Sequence, residues 1–240
     1  VEAASVAVDA AERGGTGSWG YLKATEKEMA TIEDILKDAG YAIQAVSGLD
    51  ATEEFIKQVA KGDARSPGLM HFATHGFFFP DPATQSASTA STQSVFILSE
   101  QPMMRSGLIL AGANYAWLNG HPIREGEEDG ILTAYEISQM DLAQTGLVVL
   151  SACETGLGDI KGNEGVYGLQ RAFKIAGVDY LIMTLWKVDD KATALFMIEF
   201  YKHYLQDGMS IPDAFRLTQQ EFIANPLSSP YLWAGFVLLE

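Results

Sequence analysis

Two stretches end an apolar run on a residue able to do acid–base or nucleophilic work. LMHFATHGFFF carries His75 followed by Gly76, and LVVLSACETGLGD carries Cys153, the only cysteine of the chain, followed by Glu154 and a run of glycines. A thiolate is a nucleophile, and a nearby imidazole lowers the thiol pKa while holding a proton for the leaving group. Gly76 and Gly156 leave backbone N–H groups unobstructed, as an oxyanion hole requires. Cysteine-peptidase chemistry is the reaction these parts fit. Each residue also has a plainer reading. A lone Cys behind an apolar strand is more often a buried small hydrophobe than a nucleophile. His71 and His75 could both be satisfied core or rim histidines. As a metal pair they fail on geometry, because one strand would hold them about 13 Å apart and no third ligand is apparent. The segment GLGDIKGNEG has the glycines of a phosphate-cradling loop but not its Lys-Ser/Thr ending. Neither a metal nor any other cofactor is therefore expected.

The elements that must hold these residues read as α/β. In open parallel sheets, catalytic groups collect beyond the carboxyl ends of the strands. GLMHFATHG and GLVVLSA are both strand-like, and strands side by side or one apart would let their C-terminal loops face each other. The continuous apolar runs at 147–150 and 180–185 are what strands buried on both faces look like. Before them, residues 25–39 show helical spacing at Met29, Ile32, Ile35 and Leu36, with Gly40 where a C-terminal cap belongs. YAIQAVSG reads as a strand and DATEEFIKQVA as a helix capped by Asp50 or Thr52. Val6, Val8 and Ala10 fit an edge strand. RSGLILAGA reads as a strand of a hairpin or side sheet, WLNGHPIREGEEDG as a polar excursion, and ILTAYEISQMDL as a short helix capped by Thr133. EGVYGLQRAFKIAG, DKATALFMIEFYKHYLQDG and SIPDAFRLTQQEFIAN follow as helices, DYLIMTLW and LWAGFVLLE as strands. Residues 80–94 contain a Ser/Thr/Ala/Gln tract with no apolar period, so a flexible surface loop is expected there.

Composition sets the outer limits. With 240 residues, 48% of them apolar, the chain can bury one sizeable core, so residues 1–240 are read as a single domain. A formal charge of −15 and pI near 4.6 exclude a phosphate-binding surface and disfavour anionic membranes. No nucleic-acid or membrane partner is expected. One cysteine cannot form an internal disulfide, no apolar run approaches the roughly 20 residues of a membrane span, and a cytoplasmic location is expected. The start lacks an initiator Met and the order of a signal peptide, so the chain reads as a C-terminal piece of something longer.

HFATHGFF, RSGLILAGAN, DGILTAYEIS, LVVLSACETGLGDIKGNEGVYGLQRAF, AGVDYLIMTLWKVDD and YLWAGFVL, in this order over about residues 70–238, resemble the CHAT domain. That family is a bacterial branch of the caspase-like cysteine peptidases, a group that also includes separase and gingipain. The Ser-Ala-Cys-Glu-Thr-Gly block is the most specific part of the match, and residues 19–68 fit the family's usual lead-in. The resemblance implies a caspase-like three-layer α/β fold, a central mostly parallel sheet flanked by helices. It implies His75 as general base and acid, Cys153 as nucleophile, and the N–H groups of Gly76 and Cys153 as the oxyanion hole. No Asp or Asn is obvious as a third member, and a backbone carbonyl is expected to orient the imidazole. The separation of 78 residues between His75 and Cys153 exceeds the roughly 50 of caspases, and the polar excursions at 80–94 and 118–129 can absorb the surplus.

Trp186, Val188, Asp189 and Asp190 close the strand after the helix that follows Cys153, where related peptidases bind the substrate chain. An acid there would suit Arg or Lys. Asp189 or Asp190 is equally the N-cap of the next helix. The resulting expectation is a cysteine endopeptidase that cleaves a protein or peptide partner, regulated by an upstream repeat region. The alternative is a catalytically silent caspase-like interaction or scaffold module.

Overall fold

The structure is a computed structural model that describes residues 19–20, 22–60, 66–79, 101–151, 164–186, 188–225 and 229–240. The expected edge strand at residues 1–11, the loop at 80–94 and Cys153 itself lie outside the described residues.

A four-stranded sheet holds the molecule together. Its strands are β1 (Leu69–Phe72), β5 (Leu147–Leu150), β6 (Tyr180–Thr184) and β7 (Phe236–Leu239), hydrogen-bonded in that order. β1, β5 and β6 run parallel, and β7 closes the sheet antiparallel to β6. All four residues of β5 are buried, and they divide by parity. Val148 and Leu150 join a core built with helices α2 (Glu53–Val59), α4 (Ala134–Ile137) and α5 (Glu164–Ala176), through Ile56, Ile137, Leu169 and Phe173. Leu147 and Val149 face the opposite way, into Ile32, Phe196, Phe200 and Phe215 of α1 (Lys23–Asp38), α6 (Asp190–Tyr201) and α7 (Ile211–Ala224). Side chains alternate across a strand, so an unbroken apolar run is the signature of a sheet covered on both faces. This is the three-layer, caspase-like α/β arrangement, with a mostly parallel central sheet.

A second sheet of three antiparallel strands carries β2 (His75–Phe78), β3 (Ser106–Ile109) and β4 (Ile131–Thr133) in that order. Leu108 and Leu132 point into the core shared with α5. Phe77, Ile109 and Ile131 face the other way, toward α3 (Ala113–Asn119) and Trp19.

Several local signals act as expected. Gly40 at φ 82° ends α1, with Tyr41 N–H donating to Leu36 O (3.0 Å) and Gly40 N–H to Lys37 O (2.9 Å), the paired bonds of a Schellman cap. Thr52 caps α2 by accepting from Phe55 N–H. Thr133 caps α4 in a reciprocal capping box with Glu136. Other expectations are corrected. LMHFATHGFF is two strands rather than one, broken at Ala73–Thr74, where the chain passes from the large sheet to the small one. Residues 41–47 form no strand, because most of the segment is exposed and only Ile43 packs against a core. The excursion after Leu118 begins inside α3, whose Ala113 and Ala116 bury one face of a helix too short to show a period. ILTAYEISQMDL opens as β4 before Thr133 turns it into α4.

Candidate active site

β1 and β5 deliver their ends side by side. Phe72 pairs with Leu150, and the ladder runs one step further, with Ser151 N–H donating to Phe72 O at 2.9 Å. Phe72 and Ser151 thus end neighbouring parallel strands, and in the sequence His75 follows Phe72 by three residues and Cys153 follows Ser151 by two.

His75 opens β2 and is only 4% exposed. Its Nε2 lies 3.0 Å from the backbone oxygen of Gly20. A carbonyl can only accept, so Nε2 carries a proton and donates it to Gly20. The Trp19 ring packs beside the imidazole, centroids 5.3 Å apart, and meets Trp117 edge-on at 5.6 Å. Trp19 is held in turn by the side-chain amide of Asn114 on α3, which accepts from its N–H (2.6 Å) and donates to its carbonyl (2.9 Å). Thr74 donates its hydroxyl to Ile109 O, closing the break before His75.

Gly76 pairs in register with Leu108. Phe79 N–H donates to Arg105 O, which marks Phe79/Arg105, Phe77/Gly107 and His75/Ile109 as the bonded pairs of the antiparallel ladder. Gly76/Leu108 is therefore a non-bonded pair, and the N–H of Gly76 faces the side of β2 away from β3.

His71, four residues earlier, lies in another setting. Its Nε2 is 3.2 Å from a Glu28 carboxylate oxygen on α1 and its Nδ1 is 3.1 Å from the Tyr201 hydroxyl on α6. Glu28 is 2% exposed, and burial holds the Tyr201 hydroxyl well above its usual pKa. His71 and His75 thus serve different neighbours and share no ligand position.

Asp189 is the N-cap of α6, accepting from the N–H groups of Lys191 (3.1 Å) and Ala192 (3.2 Å), and Asp190 is the acid of the first turn. The Trp186 indole donates to Tyr231 O (3.0 Å), stacks on the Tyr231 ring and covers Gly235, where a Cβ would come within 2.8 Å of the indole. Val188 is buried with α6.

Two acidic groups outside this region have cation-like spacing. Glu53, Glu128 and Glu136 surround the Lys57 ammonium at 2.7, 2.9 and 2.9 Å, so a protein cation already fills their centre. Burial pushes the Glu53 carboxyl up to about 7, against the hydrogen bond from Lys57 and with the charge of Glu136 adding to it. Burial opposes the charge on Lys57, but the hydrogen bonds it donates to the three carboxylates prevail and raise its pKa. Glu199, His203 and Glu221 form the other group, at the π-helical turn Lys202–Gln206. His203 Nδ1 faces Asp207 (2.8 Å) and Nε2 faces Glu221 (3.0 Å). Burial alone would lower the His203 pKa, and these two bonds outweigh it and raise it.

Gly20, Trp19 and Asn114 escaped the sequence reading. Their traces there are the start of the lead-in at residue 19 and the Gly112-Ala113-Asn114 ending of LILAGAN, neither of which says that the two meet across 95 residues.

A three-layer α/β fold with a side sheet, and a histidine at the mouth of two parallel strands, defines the caspase-like class. Within it, the chain belongs to the CHAT domain family, whose profile matches residues 3–240. It is also similar to the Mus musculus protein "Tetratricopeptide repeat protein 28", with 25% identity over 232 residues, 92% of this chain and 9% of that protein. The Homo sapiens protein of the same name is 23% identical over 244 residues, 92% of this chain and 8% of that protein. The chain spans less than a tenth of the length of these curated relatives. Among the described residues, no helix is long and apolar enough to cross a membrane.

Proposed function

We propose that the chain is a cysteine endopeptidase acting on a protein partner in the cytoplasm, with His75 and Cys153 as its dyad. The observation that carries this reading is His75 itself: Nε2–H donates to Gly20 O, which orients the imidazole, and Nδ1 is the nitrogen assigned to the thiol. The thiol passes its proton to His75 Nδ1 and the sulfur attacks the scissile carbonyl carbon. The N–H groups of Gly76 and Cys153 hold the resulting oxyanion. Collapse of the tetrahedral intermediate breaks the C–N bond, and His75 gives the proton to the leaving amine. Water then attacks the thioester, loses a proton to His75, and releases the acid and the thiol. Trp186, Asp189 and Asp190 border the substrate channel, with Asp189 or Asp190 the acid that receives a basic side chain, Asp189 also capping α6. The printed name of the relatives, tetratricopeptide repeat protein, supports a repeat region as the upstream regulator.

Two measurements test the reading: the rate of Cys153 alkylation by iodoacetamide, and mass spectrometry of products from a random peptide library. Alkylation faster than that of free cysteine, lost in His75→Ala, together with peptide cleavage is the expected result. A rate equal to free cysteine and unchanged by His75→Ala would leave a silent interaction module.

A further inference from the structure

Asn114 reaches no atom of the proposed chemistry, yet it grips the residue that leads to the carbonyl holding His75. It stands in the first turn of α3, delivered there by Gly112, whose φ of 95° a side chain would strain. Its Oδ1 accepts from Trp19 N–H at 2.6 Å and its Nδ2 donates to Trp19 O at 2.9 Å. A side-chain amide is the neutral group that can satisfy both backbone polar atoms of one residue at once. Trp19 is thereby fixed at both ends of its backbone, and its indole lies between the imidazole of His75 and the edge of Trp117. The next residue, Gly20, bonds His75 Nε2.

We propose that Asn114 is a positioning residue for His75: its amide clamp on Trp19 sets the Gly20 carbonyl, and that carbonyl sets the tautomer and plane of the imidazole. The functional consequence rests on the peptidase reading; the clamp itself does not. Trp19 and Gly20 precede α1 outside the seven strands, Gly20 making an isolated β-bridge, and the Asn114 amide adds the side-chain contact that fixes Trp19 beside it. A misplaced acceptor frees the ring to rotate, and small displacements of a catalytic group are costly in rate.

The test compares wild type with Asn114→Ala, Asn114→Gln and, as a control for lost stability alone, Thr133→Ala. One readout is the His75 Nε2–H resonance in ¹H–¹⁵N spectra, assigned with His75→Ala. The other is the pH profile of Cys153 alkylation by iodoacetamide. In wild type the Nε2–H is protected from exchange. In Asn114→Ala it is lost, alkylation at pH 7 falls about 10- to 100-fold, and the midpoint moves up toward the value near 8.5 of an ordinary thiol. Asn114→Gln keeps the amide one methylene out of place, folds, and lies between the two. Thr133→Ala changes neither readout. The proposal is overturned if Asn114→Gln and Asn114→Ala keep the protected Nε2–H and the wild-type alkylation midpoint, or if Thr133→Ala loses both as fully. Slow wild-type alkylation combined with loss of the protected proton in Asn114→Ala would sink the peptidase reading and keep the clamp.

Discussion

His71 and His75 stand four positions apart, and the two rings end in different environments. His71 sits between layers, beside the Glu28 carboxylate of α1 and the Tyr201 hydroxyl of α6, so it links two of the three helices of one face to the sheet. His75 sits past the break at Ala73–Thr74, held through one nitrogen by a neutral carbonyl and flanked by an indole. A histidine packed 3.2 Å from a buried carboxylate is tied to it, since removing the ring leaves that carboxyl without its neighbour in the core. One whose Nε2 donates to a backbone carbonyl is oriented at that nitrogen by a neutral acceptor. Partner chemistry, rather than burial, separates the two roles, because both side chains are largely inaccessible.

The widest separation between the two should come from His75→Ala. If the dyad operates, peptide turnover falls about 10²- to 10⁴-fold, while the melting temperature changes little; equal turnover by the variant would end the contrast. His71→Ala should do the reverse. It leaves the 2%-exposed Glu28 carboxyl uncompensated and costs about 3–5 kcal/mol in denaturant unfolding, with the Cys153 alkylation rate unchanged. Adding Glu28→Leu to His71→Phe should recover most of that loss. Failure to recover would mean that His71 acts through packing instead of charge.

The part of this contrast legible in the sequence is the part written in local signals. The apolar runs of β5 and β6 announce two-sided burial, and Thr133 and Gly40 announce a start and a stop, because each depends on neighbours a few residues away. HFATH hides the sheet switch, since β-branched and aromatic residues continue across Ala73–Thr74 and only the distant pairing of Phe72 with Leu150 and of His75 with Ile109 reveals it. The Glu28–His71–Tyr201 contact, the Lys57 cluster and the Asn114 clamp join residues tens of positions apart, and propensity carries no information about such partners. The backbone carbonyl at His75 Nε2 is that of Gly20, which the sequence could not name.

Smaller effects lie outside both histidines and sharpen the contrast by leaving it intact. Glu53 and His203 both have folded pKa values above their unfolded ones, so each stabilises the fold at low pH and the contribution is lost as pH rises. For Glu53 it is complete below about 4.5 and gone once pH passes about 7. For His203 it is complete below 6.5 and lost above its raised value. Melting temperature should therefore fall more steeply from pH 5 to 8 in wild type than in Glu53→Gln or His203→Gln, and to the same degree in a His75→Ala background. A flat wild-type profile would mean that neither group titrates on unfolding in that window.

Asp189→Asn should be the mildest change, a few tenths of a kcal/mol, because Asn caps α6 about as well as Asp. If its turnover of Arg and Lys peptides relative to Leu peptides also holds while Asp190→Asn shifts that ratio, the basic-side-chain role belongs to Asp190. If neither variant shifts it, both acids are structural.

The pairing of Leu69 with Leu147 closes a loop of 78 residues around the whole side sheet. The entropy of closing such a loop grows only with the logarithm of its length, about 0.6 kcal/mol for each doubling. Insertions between β1 and β5 are therefore cheap at equilibrium. Their burden falls on kinetics, since the central ladder must wait for distant segments to meet. The domain can thus carry a longer His-to-Cys spacing than caspases do and keep Phe72 beside Ser151, at the expense of assembling its central sheet slowly.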